Sequence, residues 1–162
     1  MILIGLGANL PHSRFGPPRA TLEAALHRLE AAGVTLLGRS PWYETAPQPP
    51  SDQPRYVNGV AAVATRLEPE ALLRLLHAIE TAFGRVRRVR NAARAIDLDL
   101  LAYDDRVIAR PDLVLPHPRL AERAFVLLPL ADLAPGWRHP VSGRSVEALI
   151  AALPAGQEAR RL

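Results

Sequence analysis

The sequence predicts an α+β fold, a ferredoxin-like α/β sandwich with helices packed on one face of a mostly antiparallel sheet. Two observations predict it. Over the first hundred residues, β-like and helical patterns follow one another as strand, helix, strand, strand, helix, strand, and no repeat, low-complexity tract or linker interrupts the 162 residues. Hydrophobic residues make up 49% and charged residues 22%, the balance of a single soluble domain, residues 1–162, with one core.

The elements follow in order. Met1 to Gly7 is a short apolar run ended by glycine, a buried strand that leaves through Ala8-Asn9-Leu10-Pro11. From Pro18 to Ala32, Leu22, Ala25, Leu26 and Leu29 recur at helical spacing, and Gly33 stands where the helix should stop. Val34 to Thr45 reads as one strand. The tract 46–54 is too rich in proline for a helix or a central strand, and is long for an idle loop. Arg55 to Thr65 reads as a strand, and Pro69 opens a helix running through Leu72, Leu76, Ile79 and Phe83 to Gly84. After the basic stretch Arg85 to Arg94, Ala95 to Tyr103 is a strand whose turn, Asp104-Asp105, predicts a hairpin with Val107 and Ile108. The proline-rich last third should hold short helices and turns, closing with a helix from Val146 to Leu153.

Charge and composition narrow the chemistry. The net charge is +4, and all twenty basic residues are arginine, so lysine-dependent phosphate loops and Schiff-base chemistry are excluded. The chain has no cysteine, which removes disulfides and thiolate metal sites and fits a cytoplasmic location. No apolar stretch approaches the ~20 residues of a membrane span, and no leader peptide opens the chain, so no membrane attachment is expected.

Four features carry chemical information. Asp97 and Asp99 stand two apart in a strand and share a face, with Ile96, Leu98 and Leu100 toward the core. Such a pair either alternates along a solvent-facing surface or holds magnesium, which takes carboxylates plus substrate phosphates. Arg85, Arg87, Arg88, Arg90 and Arg94 directly precede it. Five guanidinium groups suit a polyphosphate, and the rival guest is a nucleic-acid backbone. The stretch has no aromatic residue for base stacking, and the adjacent acidic pair favours metal plus polyphosphate over nucleic acid. His117, between Pro116 and Pro118, is held on a stiff turn with Arg119 and Arg123 nearby, a setting that His12, His27, His77 and His139 lack. Tyr56 and Asn58 place a ring and an amide on one strand face, where the amide can pair with a lactam edge.

Taken in order, these features resemble the 6-hydroxymethyl-7,8-dihydropterin pyrophosphokinases of folate biosynthesis. The resemblance runs from Gly5-Leu6-Gly7-Ala8-Asn9-Leu10 to about Pro135, through Tyr43-Glu44-Thr45, Gln53-Pro54-Arg55-Tyr56-Val57-Asn58, Phe83-Gly84-Arg85, Arg90 to Leu101, Pro116-His117-Pro118-Arg119 and Arg123-Ala124-Phe125. It implies transfer of pyrophosphate from MgATP to the pterin hydroxymethyl group, with AMP as the other product. It further implies that Asp97 and Asp99 hold two Mg2+ ions, and that Arg85 and Arg94 join them in catalysis. His77, Glu80, Arg87, Arg90, Leu98, His117 and Arg123 would bind ATP, with Arg87 and Arg90 on a loop that closes over it. Thr45, Ala46, Gln48, Tyr56, Asn58, Asn91 and Phe125 would form the pterin pocket. Small-molecule substrates, a monomer and a cytoplasmic location complete the expectation. The chain departs from the family pattern at Ala92-Ala93, where Gly-Pro is common, at Asn91, where some members carry an aromatic, and at Ala46 within Thr45-Ala46-Pro47.

Overall fold

Every residue of the first strand is buried, which requires cover on both faces of the sheet. The computed structural model describes residues 1–47, 49–84 and 96–162. Its elements are β1 (Ile2–Ala8), α1 (Pro18–Ala31), β2 (Thr35–Arg39), β3 (Tyr43–Thr45), β4 (Tyr56–Ala64), α2 (Pro69–Ala82), β5 (Asp97–Tyr103), β6 (Ile108–Arg110), β7 (Leu113–Leu115), a 3-10 turn Leu120–Glu122, α3 (Ala124–Leu133), α4 (Val146–Ala151) and β8 (Ala159–Arg161). The main sheet is antiparallel with spatial order β5-β1-β4-β3-β8, and β2 pairs with the far half of β4. The α+β sandwich expected from the sequence is the fold observed.

The alternation of side chains along each strand divides the core in two. Ile2, Ile4, Leu6 and Ala8 of β1, with Leu98 and Leu100 of β5, meet Leu22, Leu26 and Leu29 of α1 and Leu72, Leu76 and Ile79 of α2. Leu3 of β1, Val60 and Ala62 of β4 and Leu101 of β5 meet Val126, Leu127 and Leu130 of α3 and Val146 and Leu149 of α4. Helices therefore cover both faces, a correction to the one-face expectation. The second layer was hidden because α3 contains Pro129, whereas α4 is the closing helix expected from Val146.

Three further expectations change. The stretch Val34 to Thr45 is two strands, because Pro41 cannot donate to a ladder and ends the first of them. At the break, Ser40 bonds Val60 through its own N–H (2.9 Å) and accepts the Val60 N–H on Oγ (3.0 Å), so β4 keeps its partners while the chain shifts from β2 to β3. Asp104-Asp105 turns the chain, but β6 pairs with β7 in a separate two-stranded sheet rather than with β5. Finally, β8 brings the C-terminal residues onto β3, with Ala159 opposite Thr45 and Arg161 opposite Tyr43. The two long helices start and stop as the sequence indicates: each has proline in its first turn, and Gly33 and Gly84 follow them at φ near +90°.

Candidate active site

The end of the sheet that α3 and α4 leave uncovered is the floor of a cleft. Gly7 of β1 lies opposite Asp97 of β5 on one side and Asn58 of β4 on the other, and Gly5 lies opposite Asp99. All five side-chain positions share one sheet face, joined by Tyr56 and by Thr45 of β3. Arg123, Phe125 and Val126, at the entrance to α3, form the opposite wall of a cleft open to solvent.

The glycines are part of this geometry. A Cβ on Gly7 would lie 2.6 Å from Asn58 Oδ1, so only glycine lets the amide keep its place on the floor. Asn58 Nδ2 donates to Thr45 Oγ1 at 2.5 Å, and both residues are buried, which fixes the orientation of the amide. Nearby, Asn9 Nδ2 donates to Gln53 Oε1 (3.1 Å) and to the Pro54 carbonyl (3.3 Å), and Tyr56 Oη donates to the same Gln53 oxygen (3.4 Å). The proline-rich tract is thus tied to the strand that carries the ring and the amide.

On the wall at the start of α3, Arg123 Nη1 lies 3.9 Å from Asp99 Oδ2, and its guanidinium sits 5.2 Å from the Phe125 ring centroid. Burial lowers the arginine's pKa and Asp99 opposes that shift; the group remains a cation. His117 donates its backbone N–H to the Leu101 carbonyl (2.8 Å), and its Nδ1 accepts the Arg119 N–H (3.1 Å). Burial first, and the Arg123 charge second, push its imidazole down to about 4, with Asp97 opposing. At neutral pH the ring is uncharged and presents Nε2–H as a donor.

A second cleft lies along β5, the edge strand of the sheet, lined by His77, Leu98, Leu100, Leu113, His117 and also Asp99. Asp99 therefore belongs to both clefts. Glu80 lies behind this strand, fully buried, and its Oε2 accepts the Leu98 N–H at 2.8 Å. That bond holds the strand edge. Arg119 is exposed and pairs with Glu122 at 2.9 Å.

The structure thus brings Thr45, Ala46, Tyr56, Asn58, Phe125, Asp97, Asp99 and Arg123 together in the first cleft, and His77, Leu98, His117 and Asp99 in the second. Gln48, Arg85, Arg87, Arg90, Asn91 and Arg94 lie outside the described residues. Sequence reasoning did not single out Gly5, Gly7, Asn9 or Gln53 as site residues. The signal for the glycines was present: two glycines two apart inside an apolar strand mark a face that something else must approach.

Among the described residues, no group of three or more His, Asp or Glu side chains could enclose a metal ion. Two half-buried carboxylates on one face, both oxygen donors, fit a hard cation that completes its shell with water and phosphate.

Comparison with known proteins gives the family. The model of the 7,8-dihydro-6-hydroxymethylpterin-pyrophosphokinase family matches residues 3–135. A 2-amino-4-hydroxy-6-hydroxymethyldihydropteridine pyrophosphokinase of Pseudomonas aeruginosa is 46% identical over 94% of this chain and 91% of its own length. The protein of the same name in Methylorubrum extorquens is 40% identical over 96% of this chain and 95% of its own. In fold, the chain is similar to the crystal structure of Plasmodium falciparum HPPK-DHPS with pteroate, at a TM-score of 0.73 and 15% identity, covering 93% of this chain and 43% of that one. A family model spanning most of the chain, and relatives this similar along nearly their whole length, show that the chain belongs to the 7,8-dihydro-6-hydroxymethylpterin-pyrophosphokinase family.

Proposed function

We infer that this chain transfers a pyrophosphoryl group from ATP to the hydroxyl of 6-hydroxymethyl-7,8-dihydropterin, giving AMP and the pterin diphosphate, a step of folate biosynthesis. The observation that carries the reading is the meeting of two clefts at Asp99. One has an aromatic wall and a fixed amide, suited to a flat heteroaromatic ring, and the other follows a strand edge, whose outward backbone groups suit a nucleobase.

In this reading the pterin lies between Tyr56 and Phe125, with Asn58 pairing its ring edge and Ala46 closing one side. The adenine lies along Leu98 near His77, and the triphosphate runs past His117 and Arg123 toward the aspartates. The hydroxyl oxygen attacks the β-phosphorus, the bond from that phosphorus to the oxygen bridging it to the α-phosphorus breaks, and that oxygen leaves with AMP. Charge builds on the bridging and β-oxygens, where Arg123 and the Nε2–H of His117 are placed to stabilise it. Asp97 stands on the cleft floor to take the alcohol proton. Asp97 and Asp99 would hold magnesium, two ions by the family resemblance, which supplies positive charge to the phosphates when bound. Arg85 and Arg94 as catalytic groups, Arg87 and Arg90 toward ATP, and Gln48 and Asn91 toward the pterin are proposed from the sequence. A monomeric working unit and a cytoplasmic location are proposed from the sequence.

The test is AMP formation from MgATP with and without 6-hydroxymethyl-7,8-dihydropterin, with the pterin product identified by mass. Pterin-dependent AMP and a diphosphate product are expected. ADP formation, or AMP released equally without the pterin, would overturn the reading.

A further inference from the structure

We infer that Gln157 is a positioning residue for Arg123, gripping its main chain from the C-terminal segment; the inference rests on the reading of the cleft as a pyrophosphoryl-transfer site. Arg123 occupies the N-cap of α3, and its side chain makes no capping bond. A helix normally begins with Ser, Thr, Asp or Asn, whose oxygen accepts an orphan N–H of the first turn. A guanidinium has only donors and cannot do this. A cap therefore has to come from elsewhere if an arginine is to stand here and reach the cleft.

The missing acceptor is Gln157. Its Oε1 accepts the Ala124 N–H at 2.8 Å, and its Nε2 donates to the Glu122 carbonyl at 2.8 Å. These are the two peptide groups that flank Arg123. One side-chain amide thus pins both ends of that residue's backbone, in an extended conformation with φ −116° and ψ 112°, while the guanidinium faces Asp99. The next residue ties down the opposite wall: the Glu158 carbonyl accepts the Ala46 N–H at 3.2 Å, and Ala159 pairs with Thr45. The segment lies beyond residues 3–135, the reach of the family model, yet it braces both walls of the cleft. Only an amide of this length supplies an acceptor and a donor together: glutamate keeps the acceptor alone, and methionine keeps neither.

The test uses the full chain in the AMP assay, with Gln157→Met, Gln157→Glu, Arg123→Lys and the Gln157→Met/Arg123→Lys double variant, each also melted to measure stability. Gln157→Met should lower kcat about tenfold with both KM values within about twofold, and Gln157→Glu should fall between it and the parent. In the Arg123→Lys background, Gln157→Met should cost no further kcat while lowering the melting midpoint as much as before. An unchanged kcat in Gln157→Met, or an undiminished tenfold loss in the Arg123→Lys background, would show that the amide braces the fold and does not act through Arg123. A parent without pterin-dependent AMP formation, or Arg123→Lys with the parent's rate, would bring down the site reading itself and the role of Gln157 with it.

Discussion

The two faces of the same sheet have opposite fates. On one, Ile4, Leu6 and Ala8 of β1 and Leu98 and Leu100 of β5 are sealed end to end by two fourteen-residue helices. On the other, the alternate residues of the same strands are Gly5 and Gly7, Asp97 and Asp99, and α3 and α4 cover only the far end, over Leu3, Val60 and Leu101. Each strand therefore encodes stability in one set of alternate residues and chemistry in the other. At the cleft end of the strands, a substitution should change one property or the other according to its parity, and this separation can be tested.

The largest expected effect is at Asp97 and Asp99. Asp97→Ala or Asp99→Ala should lower turnover about a thousandfold or more, because charge on the phosphates is then no longer anchored, while the folding free energy in the absence of metal stays within ~1 kcal/mol. On the other face, Ile4→Ala should do the reverse. Ile4 is fully buried, so truncation should cost about 2–5 kcal/mol of stability and leave kcat per folded molecule near the parent value. Denaturant unfolding measured beside active-fraction kinetics decides it: an active Asp99→Ala, or a stable and inactive Ile4→Ala, would break the separation.

A tenfold effect is expected at Gly7, where the two properties come closest. In Gly7→Ala the new methyl would lie 2.6 Å from Asn58 Oδ1, so the amide must give way, and the pterin KM should rise about tenfold with a smaller change in the ATP KM. Gly5→Ala is the internal comparison, since its methyl meets Leu101 at 3.4 Å, an ordinary contact, and the pterin KM should stay within about threefold. Equal effects of the two substitutions on the pterin KM would mean that Asn58 does not read the ring.

How much of this was legible follows from where the information lies. The long helices were, because Leu22, Leu26 and Leu29, or Leu72, Leu76 and Ile79, repeat at 3.6 residues between a proline and a glycine. The aspartate pair and the Tyr56/Asn58 pair were, because alternation places such residues on one face whatever the partner strand is. In the second helical layer α4 was, but α3 was not, since a ten-residue helix with Pro129 inside it looks like a broken segment. Neither was β8: Ala159 to Arg161 is short and charged, and it becomes a strand only by pairing with β3. Gln157 was invisible for the same reason, because its partners lie more than thirty residues away and are backbone groups, which leave no trace in side-chain pattern. Glu80 was placed near ATP by the resemblance, but its bond to the Leu98 N–H is a contact with a backbone group that side-chain pattern does not show.

The smallest expected effect is a pH dependence that links the cleft to stability. His117 is pushed down to about 4, by burial and then by Arg123, from an ordinary value of 6.5. Above pH 6.5 the ring is neutral in both folded and unfolded chains, and the native state has its full advantage. Between 6.5 and about 4 the unfolded chain takes up a proton that the folded chain refuses, so stability must fall as the pH falls. The ring is partly exposed, which screens the effect to about 1 kcal/mol. Other groups titrate in this window, so the quantity to measure is the difference in unfolding free energy between the parent and His117→Asn at pH 7.5, 5.5 and 4.5. That difference should shrink toward the acid end. It should shrink less with a saturating ATP analogue present, because phosphate charge beside the ring favours the imidazolium and offsets Arg123. A difference that is flat with pH would mean that the ring is not held neutral, and one indifferent to the analogue would place the triphosphate away from His117.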